Sequence, residues 1–307
     1  MSKIVVIWDA MLDEYVYGNT DRKNPESPMP LLNVEKEEIK LWWASNVAHN
    51  IVSLNGEVDL ISMIWKDPNW ELFSSICKSE WINLLPLYMS SPTITKKRFL
   101  DSQYKQQLLR VDYEKKEKIS SENIDKIKTL LEDIKPEYIL ISDYNKWIVT
   151  ENMMNFVKRF SKDNWIKILA DIKPQNLELF KWIFLIKPNF KEFCEMMNIQ
   201  WIENNDENIA KYWIEFVKQY WTNLVVTRWW KWATLITVDW NVYNISSEER
   251  KVFDVTWAWD TYIATLTYAL SKWHELKEAV SLANTASWIV VWKVWTASIT
   301  KKELWIE

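Results

Sequence analysis

Residues 254–261 read Asp-Val-Thr-Trp-Ala-Trp-Asp-Thr and lead straight into the apolar, helix-forming run Tyr262 to Leu270. A helix start leaves several backbone N–H groups unpaired and carries a partial positive charge, so it binds an anion wherever no side chain blocks the approach. Two indoles, Trp257 and Trp259, stand in that approach. The chain holds 23 Trp and 2 Gly, and the two types together make up about 8% of its 307 residues, close to the usual glycine share of about 7%. The tryptophans also fall where turns are expected: Trp8 after the run Lys3 to Ile7, Trp147 after Ile139 to Lys146, and Trp229, Trp230 and Trp232 after Leu224 to Arg228. Such positions require a positive φ or a close backbone approach, for which glycine is the default. Adjacent pairs at loop starts fit a gene that uses UGA for glycine but is translated with UGA as tryptophan. A genuinely tryptophan-rich carbohydrate-binding module would set its indoles on alternate strand positions instead.

With glycine at 257 and 259 the stretch becomes Asp-Val-Thr-Gly-Ala-Gly-Asp-Thr and resembles the signature of the ribokinase-like (PfkB) sugar kinases. The resemblance implies that Asp260 takes the proton from a sugar hydroxyl and that the amides at Trp257, Ala258 and Trp259 form an anion hole for the transferring phosphoryl group. Leu41 to Ala48, read as Leu-Gly-Gly-Ala-Ser-Asn-Val-Ala, resembles the family's first glycine motif and implies that Trp42, Trp43 and Asn46 lie near the sugar. Ser142-Asp143-Tyr144-Asn145-Lys146-Trp147 is similar to a family loop that turns Asp143 and Lys146 toward the crevice. Pro188-Asn189-Phe190-Lys191-Glu192 is similar to the motif whose Asn and Glu organise the phosphates and Mg²⁺, with Glu192 acting directly or through water; a Glu at a helix start is otherwise usually a cap. Thr227-Arg228 and the loop after it resemble an ATP-contacting segment, and Asn284 falls where the family lines the adenine pocket. Asp171-Ile172-Lys173-Pro174 departs from the family's Asp-Pro-Lys, which puts the role of Lys173 in doubt.

A narrower resemblance, to the D-glycero-β-D-manno-heptose-7-phosphate kinases, rests on Asp9 to Asp13, Tyr17-Gly18, Arg22 and the run Pro25 to Pro30, and on residues 92–98 and 106–112. It implies that Asp13 touches the sugar and that Lys96, Arg98 and Arg110 receive its 7-phosphate, arginine being suited to bidentate phosphate contact. The alternative for each cation is a solvated basic edge that deters strand aggregation. The resemblance covers essentially the whole chain and implies ATP and Mg²⁺ as cofactors. A monovalent cation near Asp254 and Thr256 and a homodimer formed through the lid stay open.

The elements that must position these groups alternate strand and helix throughout, which argues an α/β fold: a mostly parallel sheet covered on both faces. Lys3 to Ile7, Val58 to Ile64, Tyr138 to Ile141, Ile166 to Ala170, Ile183 to Ile186 and Leu224 to Thr227 read as buried strands. Helices are expected from Asn46 to about Leu54, over 71–78, from Ser121 to Ile134, from Glu151 to Phe160, over Tyr262 to Leu270 and from Leu276 to Trp288. Asp239-Trp240-Asn241 reads as a hairpin turn. The segments about 13–40 and 88–113 read as short exposed strands of a small lid on a single ribokinase-like domain spanning 1–307, with no nucleotidyltransferase domain.

Net charge is −4 with 26% charged residues, which points away from nucleic acid. Cys77 and Cys194 lack metal-ligand spacing and read as reduced structural thiols. No stretch approaches the apolar length of a membrane span or a signal peptide, so a cytoplasmic location is expected. His49 is expected to be structural. A Walker loop is absent. Two other readings stay open: another PfkB-family sugar or nucleoside kinase, and a non-catalytic sugar or nucleotide sensor.

Overall fold

The computed structural model describes residues 3–9, 11–21, 25–26, 29, 31–41, 44–104, 106–115, 117–145, 148–199, 202–228, 233–245, 258–291, 293 and 298–304. Its centre is β1 (Ile4–Asp9), whose six residues are all buried, as an apolar run must be when both sheet faces are covered. β1 pairs in parallel with β4 (Val58–Ile64) on one side and β8 (Tyr138–Ser142) on the other. The sheet continues through β9 (Lys167–Asp171), the two-residue β10 (Leu185–Ile186) and β11 (Asn223–Thr227), all parallel. β12 (Ala233–Ile236) and β13 (Val242–Ile245) close that edge as an antiparallel hairpin. The opposite edge is β5 (Asn83–Tyr88).

One helical layer consists of α1 (Ala44–Ser53), α7 (Ala258–Ser271) and α8 (Leu276–Val291), packed with α2 (Pro68–Ser79) around Trp8, Ile51, Leu60, Phe73, Leu140, Tyr262 and Ala283. The other consists of α3 (Ser121–Ile134), α4 (Glu151–Asp163), α5 (Phe190–Met196) and α6 (Asp206–Tyr220) over Ile7, Ile139, Met154, Phe193 and Phe216. Asp67, Ser120 and Thr150 cap α2, α3 and α4 through their side-chain oxygens, each satisfying an amide the helix cannot.

A separate four-stranded sheet has the order β3-β2-β6-β7, formed by β3 (Asn33–Leu41), β2 (Met11–Asn19), β6 (Ile94–Asp101) and β7 (Gln107–Tyr113). The expectation of short exposed strands is corrected for β2: it is nine residues long and mostly buried, because it is paired on both sides and begins two residues after β1 ends. Gly18 lies at its irregularity against β3, where a Cβ would sit 2.3 Å from the Asn33 carbonyl oxygen.

Six tryptophans, Trp81, Trp165, Trp182, Trp221, Trp240 and Trp273, have φ between 50° and 67° and are 53–94% exposed. Five follow helical turns, and the bonds around Trp81, Trp165, Trp221 and Trp273 are those of left-handed helix stops. After α2, Ile82 N donates to Cys77 O (2.9 Å) and Trp81 N to Lys78 O (3.3 Å); after α4, Ile166 N donates to Ser161 O (2.9 Å); after α7, His274 N donates to Ala269 O (3.2 Å) and Trp273 N to Leu270 O (3.0 Å). Asn55 and Asn198 hold the same conformation after α1 and α5. Asparagine and glycine are the usual occupants there; a bulky side chain is strained.

Candidate active site

The carboxyl edge of the parallel strands gathers the polar groups, as open α/β sheets place their ligands. Register sets Trp8 beside Ser142 and Ser142 beside Asp171. Lys187 follows β10 and donates its backbone N–H to Ala170 O (2.9 Å), which brings its ammonium to the Asp171 carboxylate at 2.8 Å. Lys187 is among the largest fully buried side chains. Burial raises the Asp171 pKa and the Lys187 charge opposes the rise. Tyr144, just beyond β8, stacks on Trp8 (5.1 Å between centroids, 20° between planes), and Lys173 Nζ lies 5.1 Å from its ring centroid. Lys173 also bonds Glu192 Oε1 at 2.7 Å. The proline shift therefore does not remove Lys173 from the crevice.

Asp260 is the third residue of α7 and is buried. Its Oδ2 accepts from Asn46 Nδ2 at 3.1 Å; Asn46 Oδ1 accepts from Asn50 Nδ2 (3.1 Å), and Asn50 Oδ1 accepts from Thr261 Oγ1 (3.2 Å). This closed chain of amides fixes one carboxylate oxygen from α1. Burial pushes the Asp260 pKa up to about 7; the Asn46 bond opposes it, the Asp171 charge adds to it, and Lys187 and Lys173 pull it down. A carboxyl poised near neutrality is suited to general-base work. Tyr144 is held protonated well above its usual range by burial first and then by the charge of Asp260, to which it also hydrogen-bonds. Ala258 is buried with its carbonyl accepting from Ser287 Oγ (2.9 Å), and the Trp259 ring lies 5.6 Å from Lys187 Nζ. Trp42, Trp43, Lys146, Trp257, Asp254, Thr256 and residues 229–232 lie outside the described residues.

Asn189 and Glu192 form a reciprocal capping box at the start of α5: Glu192 N donates to Asn189 Oδ1 (2.9 Å) and Asn189 N to Glu192 Oε2 (3.1 Å). Asn189 bridges to Thr227, whose N–H donates to Pro188 O at 3.1 Å. Asn284 is buried on α8. Arg228 differs from a free phosphate ligand. Its buried guanidinium bonds Asn204 Oδ1 (2.8 Å), Asp206 Oδ1 (2.7 Å) and Thr234 Oγ1 (3.1 Å), tying the start of α6 to β12 beside the loop.

In the four-stranded sheet, Asp13 is fully buried and paired with Arg98, while its Oδ2 has no hydrogen-bond partner among the described residues; burial raises its pKa against the pull of Arg98. Arg110 holds Asp112 through two bonds of 2.8 and 2.7 Å, and Lys96 stands in register between Asp13 and Asp112. Asp143 is buried, accepting from Asn176 Nδ2 (2.7 Å) and Asn145 N (2.6 Å), so it shapes its own turn. His49 pairs with Glu80 at 2.9 Å, away from these groups.

Sequence reasoning did not single out Asn50, Tyr144, Asp171 or Lys187. The available signal was position: each follows or faces the end of a strand or helix already bearing a motif. Among the described residues no three acidic, histidine or cysteine side chains converge as a metal cage. One carboxylate, Glu192, fits Mg²⁺ borne mainly by phosphates and water. No described helix is long and apolar enough to cross a membrane.

Residues 1–302 match the family described as pfkB family carbohydrate kinase. The chain is 34% identical over 307 residues to the bifunctional protein HldE of Actinobacillus succinogenes, covering 99% of this chain and 63% of that protein. It is 32% identical to the one from Nitratiruptor sp., covering 98% and 64%; it thus spans under two thirds of these relatives. The fold superposes on phosphofructokinase-2 from Escherichia coli in complex with potassium (TM-score 0.82, 16% identity, 99% and 97% covered). It also superposes on Arabidopsis thaliana ribokinase complexed with ribose and ATP (TM-score 0.76, 16% identity, 99% and 97% covered). With residues 1–302 matched to that family, the chain is a phosphotransferase acting on a sugar alcohol group, and it belongs to the pfkB family of carbohydrate kinases.

Proposed function

We propose that the chain transfers the γ-phosphoryl group of ATP to the anomeric hydroxyl of D-glycero-β-D-manno-heptose 7-phosphate, giving the 1,7-bisphosphate on the way to ADP-heptose. The observation that carries the chemistry is Asp260, buried, near-neutral in pKa and fixed through one oxygen by Asn46. The carboxylate, which also accepts from Tyr144, would take the hydroxyl proton, a step worth roughly 10²- to 10⁴-fold. The alignment with the HldE relatives and the lid residues Asp13, Lys96, Arg98 and Arg110 support the acceptor. A sugar hydroxyl would meet the unpartnered Asp13 Oδ2, and its phosphate the adjacent cations. Mg²⁺ between the ATP phosphates and Glu192, directly or through water, would neutralise charge on the phosphoryl oxygens.

The reading includes glycine at 257 and 259, since the Trp259 indole lies against the buried ammonium on this side of the site. The exposed apolar residues Val34, Ile39, Leu109 and Tyr113 on the lid strands support a homodimer formed through the lid, which sedimentation would test.

The test is ATP consumption by the glycine-bearing chain with heptose 7-phosphate, ribose, fructose 6-phosphate and adenosine, with Asp260→Asn as control. Turnover with the heptose phosphate alone, abolished in the control, is expected. Turnover with another acceptor would overturn the substrate while keeping the base. UGG codons at Trp257 and Trp259 would overturn the recoding.

A further inference from the structure

The amide face of α7 and the capped start of α5 flank one more charged group. Lys187 directly follows β10, two residues before the Asn189 cap, with its side chain fully buried and its ammonium paired with the Asp171 carboxylate at 2.8 Å. Its Nζ is 5.6 Å from the Trp259 ring centroid, and its charge is felt at Asp260. The indole thus occupies the space directly over the ammonium. Glycine at 259 opens that space onto the first turn of α7. A buried ion pair is weak as a stabilising device, because desolvation offsets most of the attraction; its place between two helix starts gives it a task that stability does not.

We propose that Lys187 is a catalytic residue: its ammonium, positioned by Asp171, contacts the transferring phosphoryl group. As the bond from γ-phosphorus to the bridging oxygen of ADP breaks and the bond to the sugar oxygen forms, the hydroxyl proton passes to Asp260. Lys187 stays protonated and stabilises the equatorial oxygens. The proposal rests on the kinase reading and on glycine at 259, but not on which sugar is the acceptor.

The test uses the full chain with glycine at 257 and 259, with and without Lys187→Met combined with Asp171→Asn. The paired substitution leaves no uncompensated buried charge, which guards against simple unfolding; Lys187→Met alone is compared by thermal melting. Turnover is measured with whichever acceptor the parent uses, and binding of ADP is measured by calorimetry with and without aluminium fluoride and Mg²⁺. Loss of a group that stabilises transition-state charge is expected to lower kcat roughly 10²- to 10³-fold, to abolish the tightening of ADP by fluoroaluminate, and to leave ADP affinity alone within about threefold. A folded double variant within threefold of the parent in kcat overturns the proposal, as does a loss of ADP affinity that matches the loss of kcat. If the parent turns over a sugar other than the heptose phosphate, only the acceptor reading fails. If it turns over none, fluoroaluminate tightening by the parent and not the variant still supports Lys187, and no tightening by either overturns it.

Discussion

Replacing the six left-handed tryptophans with glycine should stabilise the chain. Holding an L side chain in this conformation costs roughly 1–2 kcal/mol per residue, and glycine returns about 0.5–1 kcal/mol of this as extra unfolded-chain entropy. Each of Trp81, Trp165, Trp182, Trp221, Trp240 and Trp273 is exposed, so little packing is lost with the indole. The net gain is about 0.5–1 kcal/mol per site, and the sites lie at separate turns, so about 3–6 kcal/mol is expected for all six. With roughly 2.1 cal/mol/K of unfolding entropy per residue, a chain of this length gains about 5–9 °C in Tm. Calorimetry on the parent and the sixfold variant reads this directly. Lys135→Gly separates the causes, because Lys135 caps α3 at φ 51° without an indole. It should gain as much as a single Trp site if backbone strain is responsible. A sixfold variant no more stable than the parent would refute the reasoning, and a gain absent from Lys135→Gly would move the cause from strain to surface chemistry.

Other outcomes follow from the site. Burial raises the folded pKa of Asp260 from the ordinary aspartate value of 3.8 to about 7, so it contributes stability below about pH 4 that is lost as pH rises through 7. Asp260→Asn should therefore abolish turnover yet raise stability at pH 8 by as much as about 4 kcal/mol, with the gain vanishing at pH 4; melts at the two pH values check it. For the same reason kcat of the active chain should rise with pH and level off above about 7, and a flat profile from pH 5.5 to 8.5 would remove Asp260 as the base. Arg98→Met leaves Asp13 buried and unpaired and should cost about 3–5 kcal/mol, largely recovered in combination with Asp13→Asn; urea denaturation of the double-mutant cycle measures it. Arg228→Met removes charged bonds to Asn204, Asp206 and Thr234, so it should destabilise by about 2–4 kcal/mol and raise KM for ATP more than it lowers kcat.

Much of the scaffold was legible because its signals are local. The Lys3 to Ile7 run lies in β1, which continues through Trp8 and Asp9, so Trp8 is a buried strand residue and not the turn residue its place after the run suggests; the period of 121–134 with its trailing Lys-Pro is α3 to the residue. β5 was not legible: Pro86 argues against a strand, yet it is tolerated because β5 is an edge strand with one open side. The burial of β2 was also missed, since Asp13 looks solvent-facing until Arg98 covers it from β6. At the site, motif residues could be named singly, but their partners could not. Nothing in sequence separation links Asn46 to Asp260, 214 residues apart, or Lys187 to Asp171 across a strand pair. The motif at Asn189 and Glu192 shows a further limit: the pattern for a phosphate-organising pair is also the pattern for a capping box, and here one pair of side chains makes the box.

That overlap suggests how the site is held rigid without many dedicated supports. Glu192 braces its own helix through one oxygen and Lys173 through the other; Lys173 lies over Tyr144, and Tyr144 reaches Asp260. Asp260 is tied by Asn46 of α1 in its own helical layer, and the position of Asn46 depends on Asn50 and, through it, on Thr261 next to Asp260 in the chain. A displacement at the nucleotide end therefore has a continuous set of contacts by which to reach the base. The four-stranded sheet is entered at β2, two residues after β1 ends, so its buried Asp13 is referred to the same strand that carries Trp8 against Tyr144. The groups that would hold phosphate, base and sugar thus share one frame at the carboxyl edge of the sheet. Within it, burial outweighs the neighbouring cations at Asp13, Asp143, Asp171 and Asp260, whose pKa values are all raised.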